Sequence, residues 1–446
     1  MAFVDDRDRL REFMIESISR PPLLEGVYRG RVIKIEKGMG AAFVDIGLCE
    51  NVFLSRAMAL HEGEAVIVQI AREAASGKAP TVRQEILISG SYFIYRPDGE
   101  DVRWPRSLKS GRRRDNLEAR ITGWLLADEG WTIRTQAQYA DDAILTAEMT
   151  ALRARWREVT GKKTADVPSC LLQPPSLVER TLRDRVASDS VILVDDRGVY
   201  LELTTRMKRQ RPDIAANIKF HDEARPIFES YGIADQIEGL SDRNVTLPRG
   251  ARLTIDFTEA LTVVDVDLGS AGAKGRADDA ILATNMSAVV EIARQIRLRN
   301  LAGLIVVDFI TMRRREHRRK LVDAMKRELK DSSVPVDVLG MTAAGLIEIT
   351  RRRDGPALHE LLTQREFGLI KPSGEVLACD ALRQLLRTKG ASGFRLIAAP
   401  QLASLLRGDF ELAFKETTRR LGGALSLIED NGEMSFRIET ENRTGT

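Results

Sequence analysis

Cysteine, histidine and one-sided charge are all scarce in this 446-residue chain, and each scarcity removes a class of chemistry. Its three cysteines, Cys49, Cys170 and Cys379, lie far apart and none sits in a CxxC pair. No sequence-local zinc site can be built from them. Lone thiols suit a reducing compartment, where they stay free. Four histidines, His61, His221, His317 and His359, argue against a His/Cys metal cluster and give Ser/His/Asp catalysis only weak support, and each is expected at the surface. There is no Walker A loop, GxGxxG, HExxH or GxSxG. No apolar run approaches a membrane span; Leu304 to Val307 is typical of the longest. The N-terminus is charged from Asp5 onward and lacks an apolar core, so it does not read as a signal peptide. The expectation is a cytoplasmic protein without a membrane span. With 68 basic and 65 acidic residues the net charge is +3, which by itself does not point to nucleic acid.

The chain does have enough apolar sequence, 43%, to build real cores, and its length suggests two to four domains. Residues 1–24 are short and charged, with a strand expected near Leu10 to Glu16. Residues 25–100 hold short alternating segments (Val27 to Ile35, Ala41 to Ile46, Asn51 to Ser55, Ala65 to Ile70) separated by turns. That pattern predicts a small β-barrel of the OB type. Residues 101–175 mix a basic run, a strand near Trp131 to Thr135 and a helix over 142–158, closing in a connector around 165–175. In 176–245, Val178 to Ala187 and Ala224 to Tyr231 read as helices, Ser190 to Val194 and Gly198 to Leu203 as strands. Residues 246–365 read as an α/β block. Strands near Arg252 to Phe257, Ala260 to Asp267, Leu304 to Asp308 and Val336 to Gly340 accompany helices over 277–299 and 313–329. The tail, 366–446, predicts three helices and strands at Gly393 to Ala398, Ala424 to Ile428 and Met434 to Ile438.

The sharpest feature is chemical. Asp265 and Asp267 stand two apart on one predicted strand and so share a face. Asp308 ends the next strand, one helix later, which is the spacing of a crossover that sets parallel strand ends side by side. Carboxylates meeting there can hold a hard cation such as Mg²⁺. A single aspartate at a strand end would as readily cap a helix or tie down a loop. From Thr311 to Lys330 there are nine basic and three acidic residues, beginning with Arg313 and Arg314 just beyond Asp308. Acids beside such a helix suit a polyanionic phosphate substrate, although a basic helix is also a common solvated face. In the barrel, Phe43 and Phe53 fall on neighbouring strands. They could stack bases or belong to the core.

Taken together, Leu247 to Gly250, Ala260 to Asp267 and the long stretch Thr284 to Ile310 resemble the catalytic core of the ribonuclease E/ribonuclease G family. Ala41 to Gly47 with Phe53 and Leu54 is similar to its OB domain, and Trp131 to Thr135 to its RNA 5′-end sensor. The resemblance covers about residues 10–440. It implies an α+β fold in which an OB-fold barrel is inserted in an RNase H-like/DNase I-like catalytic core, followed by a small C-terminal domain. The implied boundaries are 1–24 and 176–245 for the RNase H-like part, 25–100 for the OB domain and 101–175 for the sensor. The DNase I-like part would be 246–365 and the C-terminal domain 366–446. It further implies a Mg²⁺-dependent endoribonuclease acting on single-stranded RNA and leaving 5′-phosphates, in RNA processing or rRNA maturation. Asp265 and Asp308 would hold the metal, and Asp267 falls where many members carry Asn. Arg134 and Thr135 would meet a 5′-monophosphate; Phe43 and Phe53 would hold a base; Arg313 and Arg314 would help position RNA. The region where the family carries its CPxC zinc link reads Phe367-Gly-Leu-Ile-Lys-Pro-Ser-Gly, so no zinc is expected and a homo-oligomer is left open. The alternatives are an RNA-binding protein with weakened catalysis and, behind it, a DNA-directed nuclease.

Overall fold

The structure, a computed structural model, describes residues 1–17, 21–57, 59–73, 79–162, 165–223, 225–258, 260–269, 277–330, 332, 334–353, 355–366, 369–388, 393–422, 424–431 and 435–441. Two compact units emerge. One comprises 1–12, 22–294 and 302–356, the other 13–21, 295–301 and 357–446.

In the first unit, five strands close a barrel: Val27–Glu36, Ala41–Asp45, Val52–Ser55, Thr81–Arg83 and Ala65–Arg72, the last returning to pair with the first. Alternation dictates its interior. Val32, Ala42, Val44, Val52, Leu54, Val68, Ile70 and Val82 point inward and are almost fully buried. The expected connector around 165–175 contains a further strand, Ser169–Leu172, which pairs with Val27–Glu36 at Cys170↔Tyr28. A second sheet runs Val102–Arg103, Gly130–Ile133, Phe93–Arg96, Ile88–Ser89. Trp131 is wholly buried at its centre, and the helix Asp142–Gly161 buries Leu145, Met149 and Leu152 in the same core.

One reading between 176 and 245 needs correction. Gly198 to Leu203 is not a strand but the start of the helix Arg197–Gln210. The Asp196 carboxylate accepts from the Val199 N–H at 2.8 Å and caps it. Leu203 and Met207, four apart, then bury against Ile214 and Ile218. Alternating valine, tyrosine and leucine mimicked a strand over six residues, too short a window to reveal the helical period. The expected helix from Ala224 reduces to Ile227–Ser230, with Ala224 itself outside the described residues. Phe3 packs on the Leu182–Met207 core, so the N-terminal ribbon of Ala2–Val4 and Leu10–Phe13 joins this region by packing. The surface expectation also fails for two histidines. His221 and His317 are 8% and 6% exposed, His317 on the inward face of its helix and His221 bonded to the Arg225 carbonyl.

The block 246–356 is built on one six-stranded sheet in the order Asn244–Thr246, Arg252–Phe257, Leu261–Asp267, Gly303–Asp308, Ile347–Arg351, Val336–Met341. The two central strands are parallel, joined through the helix Ala277–Leu298; every other neighbour is antiparallel. One face is buried through Leu253, Ile255, Val264, Val266, Ile305, Val307, Ile347 and Ile349. The helix Arg315–Leu329 buries Leu321, Ala324, Met325 and Leu329 and leaves its arginines outward. The strand Ile347–Arg351, not among the expected elements, alternates buried Ile347, Ile349 and Arg351 with half-buried Glu348 and Thr350.

The second unit centres on a three-stranded sheet, Ala424–Glu429, Gly393–Ala398, Phe436–Glu441, under the helices Gly374–Arg387 and Pro400–Arg407. Leu385, Leu396, Leu402 and Leu406 form its core. The expected strand start at Met434, and Phe367 and Gly368 of the zinc-link region, lie outside the described residues. No described helix is long and apolar enough to cross a membrane.

Candidate active site

The open face of the six-stranded sheet carries the site. Asp265 and Asp308 are direct register partners on the two parallel strands. Their Cα atoms are therefore roughly 4.8 Å apart and their side chains leave the same face. Both are exposed, flanked along their strands by buried Val264, Val266 and Val307 that anchor the opposite face. Among the described residues neither carboxylate has a hydrogen-bond or ion-pair partner. Two unpaired carboxylates at this spacing repel each other and would be relieved by a cation between them.

Asp267 differs. It shares their face, but its Oδ2 meets Arg252 Nη2 at 3.3 Å across the neighbouring strand, where the two residues are register partners. Its Oδ1 accepts from the Gly269 N–H at 3.1 Å. Among the described residues no group of three or more His, Cys, Asp or Glu is arranged as a metal site. The donor set on this face is thus two free carboxylates, which fits a hard cation such as Mg²⁺ that keeps several waters.

The segment after Asp308 is fixed from behind by a residue the sequence reading missed. Asn285, fully buried, donates from Nδ2 to the Ile310 carbonyl at 2.8 Å and accepts from the Ile310 N–H at 3.2 Å. The signal was present: Asn285 opens the apolar stripe Ala288, Val289, Ile292 and Ala293, where an amide needs a partner. Arg313 and Arg314 follow, both exposed; Arg314 Nε lies 3.4 Å from Asp278 at the start of the preceding helix.

The other candidates form separate groups. Phe43 and Phe53 are register partners on the outer surface of the barrel, half-buried, with ring centroids 5.8 Å apart in an edge-to-face pair. They are not interior residues; Ala42, Val44, Val52 and Leu54 are. Lys34 stands opposite Phe43 on the adjoining strand. Arg134 and Thr135 follow the Gly130–Ile133 strand, where a short 3-10 helix, Thr135–Tyr139, begins. Arg134 Nη1 donates to Asp184 at 2.6 Å, and Arg183 grips the same carboxylate at 2.9 and 2.7 Å while also pairing with Glu25. Burial alone would push the Asp184 carboxyl up, but Arg183 and Arg134 outweigh it and hold it below the usual carboxylate range. The buried Arg134 Nε has no partner among the described residues. Thr135 Oγ1 lies 2.7 Å from Ser107 Oγ, which sets the basic run of 103–120 beside it.

Comparison with known proteins comes to the same region. The model of the Ribonuclease E/G family matches residues 87–354. Ribonuclease G of Escherichia coli (strain K12) is 29% identical over 433 residues, 90% of this chain and 88% of that protein. Ribonuclease G of Haemophilus influenzae is 27% identical over 430 residues, 89% and 87% of the two chains. Ribonuclease E of Nostoc sp. (strain PCC 7120) is 30% identical over 420 residues, 89% of this chain but 59% of that longer protein.

Proposed function

This chain belongs to the ribonuclease E/G family, and from that premise we propose that it is a Mg²⁺-dependent endoribonuclease that hydrolyses single-stranded RNA to 5′-phosphate products in RNA processing, rRNA maturation included. The observation that carries the reading is the pair Asp265 and Asp308, register partners on an open sheet face with no competing partner among the described residues. A Mg²⁺ held there would activate water and offset charge on the phosphodiester. The chain's own residues do the rest. Asp265 and Asp308 would hold the cation from two adjacent parallel strands. Asp267 orients the face without joining the ligand pair. Asn285 holds the segment after Asp308 at Ile310, and the exposed Arg313 and Arg314 that follow meet phosphates. Phe43 and Phe53 offer a stacking surface for an unpaired base, worth ~1–3 kcal/mol per base. Arg134 and Thr135 receive a 5′-monophosphate, beside the Ser107 hydroxyl that meets Thr135 Oγ1.

The test is cleavage of a 5′-monophosphorylated, A/U-rich single-stranded RNA with and without Mg²⁺. The wild type cuts internally only with the metal. Asp265→Asn and Asp308→Asn bind the RNA but cut slower by on the order of 100-fold or more, about 3 kcal/mol of transition-state stabilisation. A wild type that retains RNA yet never cuts would instead make the chain an RNA-binding protein, and variants that cut normally would displace the site.

A further inference from the structure

Three carboxylates share one open sheet face, Asp267 about 7 Å along its strand from Asp265, and among the described residues only Asp267 has a cationic partner. Asp267 is joined to Arg252, its register partner on the neighbouring strand, both side chains about half exposed (50% and 52%). Its second oxygen is occupied by the Gly269 N–H. That turn requires glycine: Gly269 has φ +57°, and a Cβ there would come within 2.1 Å of the Gly250 carbonyl oxygen. Both Asp267 oxygens are thus engaged, one by backbone and one by a guanidinium, and among the described residues the three acids are not arranged as a single metal site.

We propose that Arg252 and Asp267 act as one neutral unit that sets the charge of the metal site, leaving it a two-carboxylate centre. Arg252 is in this sense a positioning residue, acting on the cation through Asp267 and its own charge. The inference deepens the function proposed above and rests on the assignment of Asp265 and Asp308 as metal ligands. Its physical content is simple. Removing the arginine leaves a third, uncompensated carboxylate next to the cation. Removing the aspartate leaves an uncompensated guanidinium there. Removing both restores the original charge. A unit charge at such a distance, in a solvent-exposed setting, changes ion affinity by roughly three- to ten-fold.

The experiment measures Mn²⁺ affinity directly, by calorimetry or by the loss of the free-ion paramagnetic signal, with no RNA present. The full chain is compared with Arg252→Gln, Asp267→Asn, the double variant and Arg252→Lys. Thermal melts verify that each is folded. Arg252→Gln is expected to bind Mn²⁺ several-fold tighter and Asp267→Asn several-fold weaker. The double variant and Arg252→Lys return to within about two-fold of the wild type. If Asp267 is itself a ligand, the double variant stays far weaker than the wild type, and the proposal is overturned. It is equally overturned if Arg252→Gln leaves the affinity unchanged. Should Arg252→Gln fail to fold, the charge-retaining Arg252→Lys and the double variant decide the matter by the same criteria. Asp265→Asn separates the underlying reading: if it binds Mn²⁺ as well as the wild type, the two-aspartate metal centre has failed, irrespective of Arg252.

Discussion

Asn285 is fully buried, and both ends of its amide are matched to the backbone of one residue, Ile310. Asn285→Ala would leave that N–H and carbonyl without partners behind the strand end that carries Asp308. Leaving buried groups unmatched costs about 2–3 kcal/mol. The expected outcome is a lowered urea midpoint with an unchanged slope, together with a loss of turnover larger than any loss of RNA affinity. Equal stability would mean that water or a shifted loop replaces the amide. Asp184 illustrates a different limit at this scale. Its contact with Arg134 joins positions 50 apart in sequence, and nothing in the local pattern around either residue announces it. Asp267 shows a third. Its identity was visible in the sequence, but its partner Arg252, on the neighbouring antiparallel strand, appears only once the register is known.

Elements were legible where one period ran long enough to be unambiguous. The strand ending in Asp308 and the helix of 142–161 follow their apolar spacing closely. Over six residues the same logic failed at Gly198 to Leu203, where a capped helix stands instead of a strand. The cap is what decides. Asp196 satisfies one of the orphan N–H groups that open the helix, so Asp196→Ala should destabilise the unit by about 1 kcal/mol. Chemical denaturation of the full chain measures this, with a loss of helical circular dichroism confined to a few residues. An unchanged midpoint would place the determinant in the Leu203–Met207 packing alone.

For the whole molecule, the net charge of +3 hides a strongly uneven distribution. The segment from Thr311 to Lys330 presents its arginines and lysines outward while Leu321, Met325 and Leu329 anchor it. If RNA follows this surface, affinity depends on salt through released counterions, with a slope of about −0.7 per phosphate contacted on a single strand. Replacing both Arg313 and Arg314 by Gln should flatten the plot of log affinity against log salt by up to about 1.4 and weaken different sequences alike. A slope equal to the wild type would remove these arginines from the RNA track. The barrel gives the independent contrast: Phe43→Ala should weaken binding with no change in that slope, because stacking releases no counterions.

The sequence by itself determined the local period of most strands and helices, the barrel and the α/β block, and the identity of the acids. These follow from backbone geometry and apolar spacing, which act over a few residues. Tertiary structure decided everything that depends on register. It set Asp265 opposite Asp308, gave Asp267 to Arg252, turned Phe43 and Phe53 outward as a pair and closed Arg134 onto Asp184. Register is fixed by which face of each strand must be buried and by loops that bring distant segments together, and no window of neighbouring residues contains that information.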